Sequence, residues 1–157
     1  VKSNGEKVDG REIWDETRRL PFKYGDGMDT DWFSDESFSS VAKNKAIESV
    51  LEQQEDPSSL WHTYQKLIEL RKAFPALRYG NSISPYEGNT SNLQGFYRTY
   101  EYKDFSQKIL VLHNFSNSEL DLPPYSGKII YASEGDDYEN LQKIGPRSTV
   151  IIEVEDV

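Results

Sequence analysis

The chain has 157 residues, 36% of them hydrophobic and 13% aromatic, with a net charge of −9 and no cysteine. That length allows one domain or two small ones, and the aromatic content can build a core despite a polar average. The negative charge argues against a nucleic-acid backbone or an anionic membrane surface as partner. The missing cysteine removes disulfide and thiolate-metal chemistry. No apolar run reaches the roughly 18 residues of a transmembrane helix, and no signal-peptide pattern is present. The chain begins at Val1 and its only methionine is Met28, which reads as a processed protein or a piece of a longer one.

Residues 1–40 scatter Gly, Asp and Ser without a sustained period and read as one long loop. Trp14, Phe22, Tyr24, Trp32, Phe33 and Phe38 make it too aromatic for ordinary disorder. Residues 41–54, VAKNKAIESVLEQQ, carry a weaker helical pattern that turns near Glu55. A firmer helix is expected over 56–74, with Asp56 as N-cap and Pro57 at its first position. Leu60, Tyr64, Leu67, Ile68 and Arg71 fall on one stripe, Trp61 and Leu70 widen it, and Pro75 stops the helix.

Beyond Gly80 the pattern becomes β. Strands are expected at 95–102, 108–115, 127–133 and 148–154, with 120–123 as a fifth and KDFSQ (103–107) as a hairpin turn. This spacing predicts a small antiparallel sandwich or barrel. The expected boundary lies near 79–82, giving 1–80 and 81–157.

Chemistry-bearing residues are sparse. With 27 Asp and Glu, acid pairs arise by chance. The densest group, Asp26, Asp29, Asp31, Asp35 and Glu36, lacks the alternate spacing and central Gly of a helix–loop–helix calcium site, and reads as a solvated loop. His62 and His113 lie in separate modules without a Ser or Cys nucleophile signature, so no triad is expected and both read as structural. The loop aromatics could stack on sugar rings or pack against a neighbouring domain. NTS (89–91) and NFS (114–116) match the glycosylation pattern, which is short and frequent. No phosphate loop, zinc pattern or nucleophile elbow is present.

In order, these pieces resemble the end of the α-amylase superfamily, glycoside hydrolase family 13. Arg19, Leu20, Pro21, Phe22 and Tyr24 are similar to an Arg-x-Pro-Phe element and the aromatic that follows it after the last barrel strand. SVLEQQEDPSSLWHTYQKLIELRKAFPALRYG resembles the segment leading into the last barrel helix. GFYRTY, KILVLHNFSN and IGPRSTVIIEV resemble strands of the C-terminal β-sandwich. The resemblance implies an α+β fragment: the last loop and helix of a (β/α)8 barrel, then a small antiparallel β-sandwich. It implies a retaining hydrolase of α-1,4-glucans, starch and maltodextrins, as the parent. Its catalytic Asp, Glu and Asp would lie at the ends of earlier barrel strands, upstream of Val1, so no catalytic residue is assigned here.

On the same resemblance, Arg19, Trp14 and Tyr24 are the substrate-side candidates, because barrel active sites are built from the βα loops. Leu20 and Tyr24 depart from the commoner polar residue and Trp, which puts the subsite and bond preference in question. No cofactor is expected in this chain, with calcium left to the parent. The expected partners are the upstream barrel, an α-glucan substrate and, through an uncovered helix face, another copy of the chain. Competing expectations are a free-standing carbohydrate-binding β module and a catalytically inactive amylase-like domain.

Overall fold

The structure, a computed structural model, describes residues 6–8, 11–13, 24–25, 48–133, 135 and 140–155. The chain divides into two compact units, Val1–Leu67 and Ile68–Val157, the division falling inside a helix.

In the first unit, β1 (Glu6–Val8) pairs antiparallel with β2 (Arg11–Ile13). The opening segment was expected to be loop throughout; a short hairpin stands there instead, because KV and EI give too brief a pattern to register as strands. Helix α1 spans Val50–Glu55 and helix α2 spans Leu60–Ala73. Residues 41–47 of the weaker expected helix lie outside the described residues.

The strong expected start at Asp56 and Pro57 is wrong by one turn. Asp56 is the C-cap of α1, its N–H donating to the Glu52 carbonyl at 3.2 Å. Its carboxylate accepts from the Ser58 N–H and hydroxyl, both at 2.8 Å, which closes a local turn over Pro57. Those two donors hold the Asp56 carboxyl below its usual value. Ser59 takes the capping role instead, its Oγ accepting from the His62 N–H at 3.4 Å. Asp-Pro-Ser-Ser is thus a corner between two helices.

In the second unit, Pro75 ends α2 and begins a short helix, α3 (Pro75–Tyr79). Then follow β3 (Ser82–Pro85), β4 (Leu93–Tyr102), β5 (Phe105–Asn114), β6 (Leu120–Asp121), β7 (Gly127–Ala132), β8 (Lys143–Ile144) and β9 (Thr149–Val154). The main sheet has the order β3-β4-β5-β9-β7, and β6 pairs with β8 separately. Every pairing is antiparallel. The hairpin turn is tighter than expected: Lys103 and Asp104 alone separate Tyr102 from its partner Phe105, with Lys103 at φ 53°.

Both faces of the main sheet are covered, which is why β5 and β9 read as continuous apolar runs. On one face Leu93, Leu110, Leu112, Ile129, Ala132, Val150 and Ile152 pack with Ile144 of β8 and Leu120 of β6, forming the sandwich layer. On the other, Ile109, Val111, Tyr131 and Ile151 pack with Ala76, Leu70, Phe74 and Leu77 of the helices. A register shift between Ile129 and Tyr131 lets β7 serve both faces. Gly127 must be glycine: at φ +135° a Cβ would sit 2.0 Å from the Glu153 carbonyl oxygen.

Candidate functional site

Of the three substrate-side candidates, Trp14 and Arg19 lie outside the described residues, as does the acidic group from Asp26 to Glu36. Tyr24 is described. Its carbonyl accepts from the Leu51 N–H at 3.2 Å, satisfying a donor in the first turn of α1. The residue is 59% exposed, so its backbone is tied while its side chain remains at the surface.

The segment that receives Tyr24 is rigidly built. Ser49 and Glu52 form a reciprocal capping box, the Ser49 N–H donating to Glu52 Oε2 at 2.6 Å and the Glu52 N–H to Ser49 Oγ at 3.2 Å. Ser59 Oγ donates to the Gln53 carbonyl at 2.5 Å, fixing the corner between α1 and α2. His62 Nε2 donates to the Gln54 carbonyl at 2.9 Å, which is a structural use of that imidazole.

Along α2, Leu60, Tyr64, Leu67 and Ile68 are all exposed, and Trp61 is 43% exposed. Leu70 alone of the expected apolar set is held against the sheet core. This is an apolar helix face without a covering layer among the described residues.

In the sheet unit, the family-like phrases have mechanical roles. Gly95 stands where β4 meets β5: a Cβ there would lie 2.6 Å from Leu112 Cδ2 and 2.8 Å from the Val111 carbonyl oxygen. Three residues on, Arg98 donates through Nε to the Ala76 carbonyl at 2.9 Å and through Nη2 to the Gly80 carbonyl at 3.4 Å. Gln107 accepts from the Ala76 N–H at 2.9 Å and donates to Glu153 Oε1 at 2.7 Å. Two strands therefore grip one buried helical residue by both of its backbone groups. Sequence reading missed Gln107, because a lone Gln beside a turn carries no pattern.

Asn114 is 2% exposed. Its Nδ2 donates to the carbonyls of Ser118 (2.7 Å), Ile144 (3.0 Å) and Gly145 (2.7 Å). Its Oδ1 accepts from the Ser116 N–H at 2.9 Å and hydroxyl at 2.7 Å. The NFS match is thus a buried turn lock, inaccessible to a glycan in the folded chain. At NTS, Asn89 bonds the Gly95 backbone through both side-chain atoms. His113 Nδ1 lies 2.8 Å from Thr149 Oγ1, and burial pushes its pKa down. Among the described residues no group of three His, Asp or Glu is placed to hold a metal ion. No described helix is long and apolar enough to cross a membrane.

The described residues thus comprise a short corner between two helices, an exposed apolar helix face, and an antiparallel sheet with helices packed on one face. No family model matches the chain. It is 36% identical over 112 residues to the α-amylase SusG of Bacteroides thetaiotaomicron, a stretch that covers 69% of this chain and 16% of that protein. Among solved structures it superposes on the trehalulose synthase MutB of Pseudomonas mesoacidophila with a TM-score of 0.68 at 21% identity, over 87% of this chain and 25% of that one. The α-amylase of H. orenii gives 0.61 at 24% identity, over 86% and 28%. The structural likenesses establish the fold. The chain belongs to the α-amylase family, glycoside hydrolase family 13, and corresponds to its C-terminal part.

Proposed function

We propose that the chain serves as the C-terminal part of an α-amylase-like hydrolase of α-1,4-glucans, with starch and maltodextrins as substrates. The single supporting observation is its 36% identity to an α-amylase across 69% of its length, against only 16% of that relative. Its likeness to a synthase rests on 21% identity and carries fold alone.

In this reading residues 1–80 complete a (β/α)8 barrel and residues 81–157 form the sandwich beside it. The exposed face of α2 is the barrel-facing side of the last barrel helix, and the upstream barrel is the partner that covers it. Tyr24, Trp14 and Arg19 line one side of the cleft: the aromatic rings stack on sugar faces, and the guanidinium donates to hydroxyl groups or orders the loop. The chemistry belongs upstream of Val1. A retaining mechanism needs a nucleophilic carboxylate and a protonated carboxyl about 5 Å apart on rigid strands, and a third acid to stabilise the oxocarbenium-like transition state. Calcium, where the whole protein holds it, would bind in that upstream part. Uncovered, the α2 face associates with a second copy.

The test is the coding sequence upstream of Val1. The proposal expects alternating strands and helices over roughly 350 codons, with Asp, Glu and Asp at the ends of three strands. A start or processing site immediately before Val1, or a barrel with those acids replaced, would overturn it.

A further inference from the structure

Helix α1 is too short to hold itself, yet it ties down the backbone of Tyr24. It has six residues, and a helix of that length does not persist in water without outside support. The donors of its first turn are shared out. The Ser49 N–H goes to Glu52 Oε2 at 2.6 Å and the Glu52 N–H to Ser49 Oγ at 3.2 Å. Between them, the Leu51 N–H points out of the helix to the Tyr24 carbonyl at 3.2 Å. A Cβ built on Gly25 would meet Leu51 Cδ1 at 3.4 Å, so the chain just after Tyr24 runs beside the same turn.

The Glu52 carboxylate holds that turn in place. Ser49 is 0% exposed, so its N–H cannot fall back on water and needs a protein acceptor. Without Glu52 Oε2 that donor is orphaned, the N-cap turns away, and the Leu51 N–H loses its aim at Tyr24. The other end of α1 is fixed from α2. The Trp61 N–H donates to Gln53 Oε1 at 3.2 Å, and Ser59 Oγ donates to the Gln53 carbonyl at 2.5 Å. Helix α1 is therefore a strut between the first turn of α2 and Tyr24. Glu52 itself is exposed, so truncating its side chain opens no cavity in a core.

We infer that Glu52, acting through Ser49 and the Leu51 N–H, is a positioning residue that sets where Tyr24 presents its ring to a sugar. The inference rests on the reading above that puts Tyr24 beside the cleft. Glu52 touches no substrate and takes no part in bond cleavage. Its effect falls on substrate binding and passes through Tyr24 alone.

The test is maltodextrin cleavage by a longer polypeptide that carries the chain. Glu52→Ala is expected to raise KM about three- to tenfold while kcat stays within about twofold, the pattern of lost uniform binding. Glu52→Gln keeps the acceptor without the charge and is expected to restore KM. Tyr24→Ala is expected to raise KM to a similar extent, and adding Glu52→Ala to it to change nothing further, because two residues acting as one unit are not additive. Additive effects in the double variant, or a fall in kcat alone, overturn the positioning role. If Tyr24→Ala raises KM and Glu52→Ala does not, the positioning role falls and the place of Tyr24 in the cleft stands. If Tyr24→Ala leaves KM unchanged, or the longer polypeptide cleaves no maltodextrin, that place falls and the positioning role with it. Hydrogen exchange in the 157-residue chain checks the strut independently of activity. Glu52→Ala is expected to speed exchange at the Leu51 amide at least about tenfold and Glu52→Gln to reverse this; unchanged exchange overturns the inference.

Discussion

Asn114 shows how much one side chain can organise. It holds three carbonyls and two donors at the end of β5, almost wholly out of water. Asn114→Ala leaves the buried Ile144 and Gly145 carbonyls without this donor, while the Ser118 carbonyl keeps the Ser116 hydroxyl. The expected cost is about 2–4 kcal/mol in urea unfolding. Gly95→Ala forces its methyl into Leu112 and the Val111 carbonyl and should cost roughly 1–3 kcal/mol in the same measurement. His113 gives a pH dependence with a definite sign. Burial lowers its folded-state pKa, so the unfolded chain binds its proton more readily. The contribution to stability is complete above the ordinary histidine value of about 6.5 and is lost as pH falls toward the folded value. His113→Gln should flatten the decline of the unfolding midpoint between about pH 7.5 and pH 5; an unchanged slope would remove His113 as its source. At this scale the sequence showed identities without roles. Asn114 looked like a glycosylation match and Gly95 like the first residue of an ordinary strand, because their partners lie up to 31 residues away along the chain.

Elements were legible in proportion to how completely they are buried. The strands β5 and β9 stand out as apolar runs because both of their faces are covered. The strand β3, Ser-Ile-Ser-Pro, is exposed at every position and sits at the sheet edge, so no burial pattern marks it. The two-residue strand β8 is too short to carry a period, whereas β6 falls inside the strand expected at 120–123. The start of α2 was misread because Asp-Pro can open a helix or make a turn; the hydroxyl of Ser58 decides for the turn. The grip on Ala76 sets where the helices meet the sheet. Gln107→Ala leaves the Ala76 N–H unpaired, and Arg98→Ala removes donors from two carbonyls. Each should cost about 1–3 kcal/mol, and the double variant less than the sum, since both act on one residue.

At the scale of the whole chain, the described fold corresponds to a part of its relatives. It spans 16% of the curated relative it matches and 25–28% of the solved ones. The sheet unit has a core on both faces, while the apolar residues of α2 from Leu60 to Ile68 stay exposed. Alone, the chain should self-associate through that helix. Leu60→Glu with Tyr64→Glu should shift it toward monomer in sedimentation velocity without lowering the sheet's unfolding midpoint. Family and fold could be read from ordered phrases along the sequence, and Gly95, Arg98 and Asn114 of the sheet phrases prove to be packing and turn devices. Substrate contacts could not, since the residues nominated for them, apart from Tyr24, fall outside the described part.

The most direct measurement is starch hydrolysis, assayed by reducing-end release, with the purified 157-residue chain and with a longer polypeptide that carries it. No cleavage by the chain and cleavage by the longer polypeptide is the expected result. Cleavage by the chain alone, or none by either, would contradict the assignment of this chain to the non-catalytic end of an α-glucan hydrolase.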